Sequence, residues 1–273
     1  MLHTLHHGDV TELRCTTWRS RSVGFQVSAF LVRGVLVDTG FPDCAGALAW
    51  FIATDRPDGC LVTHFHEDHS GGVAVVARAG VPVWMDARTA DRVRQPDRIG
   101  FYRRYTWGSP SPVGTVTPFT PPGSLECLAT PGHSDDHHAV WDRETGTLFG
   151  GDLFIGVKVR GSHANEQPRT LVRSLRQVIA LRPARLFDAH RGLVENPVDL
   201  LTAKADWLEQ TIASIDPLIA DGLDDTTIAR RVLGNDWFSR AFTAGDYTMR
   251  NFVRSVRLTA GDAEPRGSGP VGR

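Results

Sequence analysis

The sequence predicts an α/β layered fold, a sandwich of sheets flanked by helices, with a helical C-terminal region appended. Three observations carry that expectation. Short apolar strand-like runs alternate with helical stretches from residue 10 to about residue 190; strands lie near both ends of that span; and from about residue 197 the pattern turns almost wholly helical. Size and composition allow it. The chain has 273 residues, 41% hydrophobic and 22% charged, which excludes a disordered chain or a coiled coil. A chain this long buries roughly 75% of its unfolded surface, so it needs no disulfide or metal merely to fold.

The elements follow in order. Residues 10–18, 25–32 and 35–38 alternate as strands, with Gly34 and Gly40 as turn punctuation, and 43–54 reads as a helix. Further short strands are expected over 60–63, 81–84, 113–119, 125–129, 138–141, 147–149 and 185–188, with helices over 70–79, 86–95 and 168–181. The segment 96–112, with Tyr102, Tyr105 and Trp107, reads as a long aromatic loop, and His3, His6 and His7 as a solvated terminus. Beyond the short linker Glu195-Asn196-Pro197, helices are expected over 197–221, 225–233 and 246–257. Asp224 and Asp225 supply an N-cap and Gly234 a C-terminal stop. Leu200, Leu201, Trp207, Leu208, Ile212 and Ile215 form a stripe that must bury against something. The Gly/Pro-rich residues 261–273 read as a disordered tail.

Charge and cysteine usage narrow the class. Net charge is −1, so no global field recruits nucleic acid or an acidic membrane surface. No apolar run approaches the roughly 20 residues of a membrane span, and the N-terminus lacks the features of a signal peptide. Cys15, Cys44, Cys60 and Cys127 are scattered without a C-x-x-C pair, and the last two fall in apolar runs that suit buried thiols. The expectation is a reduced cytoplasmic protein with a small-molecule substrate, no nucleic acid and no membrane, and with room for a homodimer.

The chemistry concentrates in CLVTHFHEDHSGG, residues 60–72. A hydrophobic strand runs straight into His64, His66, Asp68 and His69. Residues two apart on an extended chain point the same way, so His64 and His66 can grip one metal. A turn through Glu67 then sends Asp68 and His69 to a neighbouring position, while Gly71 and Gly72 let the backbone pass close. Three more ligand types stand just after apolar strands: His133 in TPGH, Asp152 in GGD and His190 in AHRG. Open α/β folds place their ligands at this carboxyl edge. His137 and His138 follow PGHSDD, and one of them must point inward from the next strand.

HFHEDH has the H-x-H-x-D-H form of the metallo-β-lactamase superfamily, and His133, Asp152 and His190 complete its usual set in the usual order. The resemblance runs from about Leu36 to Gly192. It implies an αββα four-layer sandwich over 1–196, with residues 197–260 a helical region packed on it, as in the glyoxalase II-like branch. By the same resemblance His64, His66 and His133 hold a first divalent metal, and Asp68, His69 and His190 a second, with Asp152 joining both. Asp38 in VLVDTG resembles the superfamily's buried Asp that orients a ligand imidazole.

The donor types agree. Imidazole and carboxylate suit zinc, iron or manganese without choosing among them; it is the resemblance that makes zinc the first choice. Two metals about 3.5–4 Å apart lower the pKa of a shared water towards ~7 and polarise a carbonyl oxygen. The expected function is therefore a hydrolase that uses a metal-bridging hydroxide on an ester, thioester or lactone-like bond, with Asp68 orienting the hydroxide and taking its proton. The helical appendage and the Asp ligand at 68 weigh against β-lactams as native substrates. Two alternatives use the same scaffold: a mononuclear-iron persulfide dioxygenase-like oxidoreductase and a small metal-dependent endoribonuclease. Arg160, His163 and Arg191 stand in or beside ligand-bearing loops and are the candidate substrate contacts.

Overall fold

The structure, a computed structural model, describes residues 1–260; the expected tail over 261–273 lies outside the described residues. The first sheet runs in spatial order through β1 (Leu2–His7), β2 (Val10–Cys15), β3 (Val27–Val32), β4 (Val35–Val37), β5 (Gly59–Leu61) and β6 (Val83–Trp84). β1 to β4 pair antiparallel, and β4, β5 and β6 run parallel. The second sheet comprises β7 (Leu125–Ala129), β8 (His138–Asp142), β9 (Thr147–Phe149), β10 (Arg185–Asp188) and β11 (Gly192–Val194), in spatial order β11-β10-β9-β8-β7. In it β9 and β10 pair parallel, and the other neighbours antiparallel.

Helices cover both outer faces. In chain order the helices are α1 (Trp18–Ser22), α2 (Ala45–Thr54), α3 (Glu67–Ser70), α4 (Val73–Arg78), α5 (Ala87–Arg94), α6 (Phe101–Trp107), α7 (Pro168–Ala180), α8 (Pro197–Ala220), α9 (Asp225–Val232), α10 (Trp237–Phe242) and α11 (Met249–Leu258). The period-2 alternation of each strand decides the layering. Val35, Val37 and Leu61 of the first sheet face Val140, Phe149 and Phe187 of the second across the inner core. Their neighbours Leu36 and Cys60 turn outward onto α2 and α4, while Leu148 and Leu186 turn outward onto α7 and α8. Strands apolar on both faces can only be central, so four layers, helix–sheet–sheet–helix, follow. The stripe of α8 is spent on the second outer face: Leu201, Leu208 and Ile215 share a core with Leu175 of α7 and Phe252 of α11.

Several elements depart from the expectation. Leu2–His7 form an edge strand paired with β2 from Leu2↔Cys15 to His7↔Val10, although its face is only half-buried and its apolar signal weak. The strand expected over 10–18 stops at Cys15, because Thr17 and Ser20 form a reciprocal capping box that starts α1. Residues 113–119 make no strand, only a bridge between Val83 and Pro118; proline has no N–H for a ladder. The aromatic segment 96–112 contains α6 rather than being loop throughout. Strand β11 and helix α10 were not expected, and the last helix starts at Met249, where Thr248 caps it by accepting from the Asn251 N–H.

Candidate metal centre

The topology delivers the candidate ligands to one edge. β4 and β5 end at Val37 and Leu61, and the chain continues into Asp38 and into His64 and His66. β7, β9 and β10 run in one direction and lead into His133, Asp152 and His190. Backbone bonds tie the two sheets together there: His138 N–H donates to Thr63 O at 2.8 Å and Ser28 N–H to Ala189 O at 2.7 Å. Gly151, at φ +51°, is forced by this crossing. A Cβ on it would stand 2.8 Å from His137 Nε2 and 3.0 Å from Thr63 Oγ1.

Two groups of ligand atoms result. His64, His66, His133 and Asp152 have ligand atoms all within 4.8 Å of one another, as do Asp68, His69 and His190. His66 Nδ1 stands 3.0 Å from His64 Nε2 and 2.9 Å from His133 Nε2. Asp152 lies between the groups: its Oδ2 is 3.3 Å from His133 Nε2, and its Oδ1 is 3.1 Å from His69 Nε2 and 3.2 Å from His190 Nε2. Asp68 Oδ2 reaches His190 Nε2 at 3.5 Å and His69 Nε2 at 3.9 Å. His69 Nε2 and Asp152 Oδ1 are buried and close, yet neither makes a hydrogen bond. Leaving two buried polar atoms unpaired costs about 1–3 kcal/mol each. Two buried ligand atoms that converge without a hydrogen bond, beside three imidazoles whose ring nitrogens crowd to 2.9–3.0 Å, fit a shared cation, so the residues present suit divalent metal.

A supporting ring of contacts aims these ligands. Asp38, itself held at φ +62°, takes His69 Nδ1 at 2.8 Å, Thr63 N–H at 2.8 Å and Thr63 Oγ1–H at 2.9 Å. A non-glycine residue in that backbone region costs on the order of 1–3 kcal/mol, which the three bonds hold in place. His190 Nδ1 contacts Gln26 O at 2.8 Å. His137 Nε2 accepts the Asp152 N–H at 3.1 Å, and its Nδ1 is 2.9 Å from Thr130 Oγ1, so this histidine fixes a ligand's backbone and leaves the cluster itself to others. His138 turns away, its Nδ1 2.9 Å from Asp136 O.

The imidazoles fall into two electrostatic classes that cut across the two groups: burial opposes charge on His133 of the first group, yet Asp152 and Glu166 outweigh it and raise its pKa. Burial holds His64 and His66 well below the ordinary imidazole pKa, and neighbouring imidazoles push the same way. Burial opposes charge on His69 and His190 too, but Asp152, with Asp38 and Asp68, outweighs it. His69 is raised well above the usual value and His190 to about 9. The same imidazoles hold the Asp152 carboxyl well below the usual range despite its burial.

Of the candidate substrate contacts, His163 lies beside the cluster, its ring centroid 6.1 Å from that of His66. Its Nε2 is 3.3 Å from Tyr102 Oη and its Nδ1 3.5 Å from Asp246 Oδ1. Arg191 is committed elsewhere: its Nε donates to Ile155 O and its guanidinium packs over Gly156. Arg160 is exposed and has no hydrogen-bonded partner among the described residues. Sequence reasoning missed Glu166, whose Oε2 is 3.9 Å from His133 Nδ1, and the buried pair in which Arg103 of α6 grips Glu67 of the ligand loop. Glu67 could have been suspected, since a charged residue inside HFHEDH needs a partner once buried. A cleft of about 320 Å³ flanks the His133 turn, lined by Arg88, Gly132, His137 and Arg173, with no candidate ligand in its walls.

Comparison with known proteins gives the family and the fold. The family model for the metallo-beta-lactamase superfamily matches residues 22–190. A Beta-lactamase-like protein 2 homolog of Caenorhabditis elegans is 26% identical over 60% of this chain and 54% of its own length. An atrochrysone carboxyl ACP thioesterase of Aspergillus fumigatus is 30% identical over 63% of this chain and 39% of its own. The chain thus spans about half or less of the length of these relatives. Among solved structures, a metallo-beta-lactamase family protein from Thermus thermophilus superposes with TM-score 0.66 at 19% identity, covering 95% of this chain and 96% of that one.

Proposed function

Since the chain belongs to the metallo-beta-lactamase superfamily, we propose that it is a metal-dependent hydrolase of a small-molecule ester, thioester or lactone-like bond. The observation that carries this reading is the pair of ligand groups meeting at Asp152, with two buried polar atoms left for a cation. Several relatives carry the name thioesterase, which favours a thioester.

His64, His66 and His133 would hold one divalent ion and Asp68, His69 and His190 the other, with Asp152 common to both and zinc the first choice. Bound divalent ions supply a water that ionises near neutral pH and an electrophile for a carbonyl oxygen. The protein's own residues do the rest. Asp68, its side chain 9% exposed, presents Oδ2 at the more open end of the cluster, beside the half-buried His190. Oδ2 is the oxygen aimed at the His69 and His190 ligand atoms, so the other oxygen of the carboxylate would orient the attacking water and take its proton. Asp38 holds the His69 ring from behind and His137 the Asp152 backbone, while the Glu166 carboxylate stands 3.9 Å behind His133 Nδ1 as a nearby charge, so the cluster is in place before substrate arrives. Burial of most of these side chains excludes competing water.

A panel of acyl thioesters, aryl esters, lactones, phosphodiesters and RNA tests the reading on zinc-loaded protein. Turnover of thioesters or esters, absent after Asp152→Ala, is the expected outcome. Cleavage of RNA alone would overturn it.

A further inference from the structure

Aromatic rings lead outward from the metal centre. The His163 ring lies 6.1 Å from that of His66 and stacks on Tyr102 at 6.5 Å with planes 13° apart. Tyr102 meets Phe242 at 5.8 Å, Phe242 stacks on Phe238 at 6.3 Å and 3°, and Phe238 meets Trp237 at 5.9 Å. Burial falls along the strip. His66 is buried, whereas Phe242 is 37% exposed, Phe238 67% and Trp237 64%. The six residues of α10 bury none of their number, although three of them are large aromatics. A contiguous exposed apolar face marks a place where something apolar binds.

The inner end of this strip is built rather than incidental. Arg103 clamps α6 to Glu67 in the ligand loop, which fixes Tyr102, and the Tyr102 hydroxyl reaches His163. Asp246 and the Tyr247 ring hold His163 from the C-terminal side. The outer end stays open among the described residues. A face that begins at a candidate ligand and runs outward without interruption is continuous with the reacting centre, so its occupant is part of whatever molecule reacts there.

We infer that the strip from His163 to Trp237 carries the apolar tail of the substrate, so that the enzyme acts on acyl groups with extended hydrocarbon or aryl portions rather than on short polar ones. This rests on the hydrolase reading for the bond that is cleaved. The strip's own ligand preference can be measured without turnover.

The test is calorimetric titration of the zinc-loaded full chain with non-hydrolysable S-alkyl pantetheine thioethers of two to twelve carbons. A fully buried methylene is worth about fourfold in affinity, and a strip open on one side about half that free energy, so Kd should fall by about twofold per methylene. Phe238→Ser combined with Phe242→Ser removes only the outer part of the strip, so it should lower the slope over the last three or so methylenes, cost about tenfold at twelve carbons and leave the two-carbon ligand as it is. Trp50→Ser, at a 72% exposed aromatic on α2 outside the strip, should leave the slope as it is. Both altered positions are exposed, and unchanged metal content and circular dichroism verify the fold. A flat series, or a slope indifferent to the double substitution, overturns the inference even if short esters are hydrolysed. Loss of self-association in sedimentation with an unchanged slope overturns it as well and assigns the face to a second copy. A steep series in a protein that cleaves no ester upholds the strip and sinks the hydrolase reading instead.

Discussion

Asp38 shows how a single side chain governs the centre without touching the metal positions. It accepts from His69, from the Thr63 backbone and from the Thr63 hydroxyl. Asp38→Ala should cost ~10–100-fold in metal affinity through the freed His69 ring, and the orphaned Thr63 N–H about 1–3 kcal/mol of stability. Titration with a competing chelator and thermal unfolding read the two effects separately. The imidazoles make a second prediction, for the metal-free protein. His64 and His66 have lowered folded pKa values, so their burial costs stability as pH falls below ~6.5, where the unfolded chain takes up their protons. His190, raised to about 9, does the opposite: its stabilisation is full below ~6.5 and is lost as pH rises through about 9. Tm of chelator-treated protein should therefore peak near pH ~6.5 and fall on both sides; a monotonic profile would contradict this assignment of charges. The candidate ligands that the structure brings together were legible in the sequence because their segments each follow an apolar strand. Glu166 and Asp246 were not, since a carboxylate in a loop carries no mark of the histidine it will meet.

Elements with strong periodicity were legible and short polar ones were not. The alternation in β4, β5, β9 and β10 and the stripe of α8 announced themselves. In α1, a reciprocal Thr17–Ser20 cap outweighs weak propensity. In α6 the deciding contact is the buried Arg103–Glu67 pair, whose members stand 36 positions apart and share no local pattern. That pair makes its own prediction. Arg103→Met leaves Glu67, 3% exposed, charged and unpaired, which should destabilise by ~3–5 kcal/mol. Adding Glu67→Gln should restore much of the loss in a double-mutant cycle measured by denaturant unfolding. Equal stability of the single and double variants would mean that α6 is held by its aromatic contacts instead. Residues 113–119 err the other way: Val113 and Val116 look like a strand, but Gly114 and Pro118 leave only a bridge.

The molecule as one body places two parallel strand pairs, β4 with β5 and β9 with β10, so that their carboxyl ends meet at a single edge. That arrangement, more than any one residue, assembles the cluster from positions as distant as His64 and His190. The C-terminal helices complete it. Leu201, Leu208, Ile215 and Phe252 share a core with Leu148 and Leu186 of the second sheet, and Asp246 and Tyr247 reach His163 beside the centre. We expect a fragment ending before Pro197 to be insoluble or inactive, since it would bare the outer face of β9 and β10; a soluble, active 1–196 fragment would show that the helices are an independent addition. The most direct test of the whole account is thioester turnover by chelator-stripped protein titrated with zinc. The account predicts no activity without metal and a rise that saturates at about two equivalents per chain. Turnover that is indifferent to zinc, or that appears only with a single equivalent of iron, would contradict it.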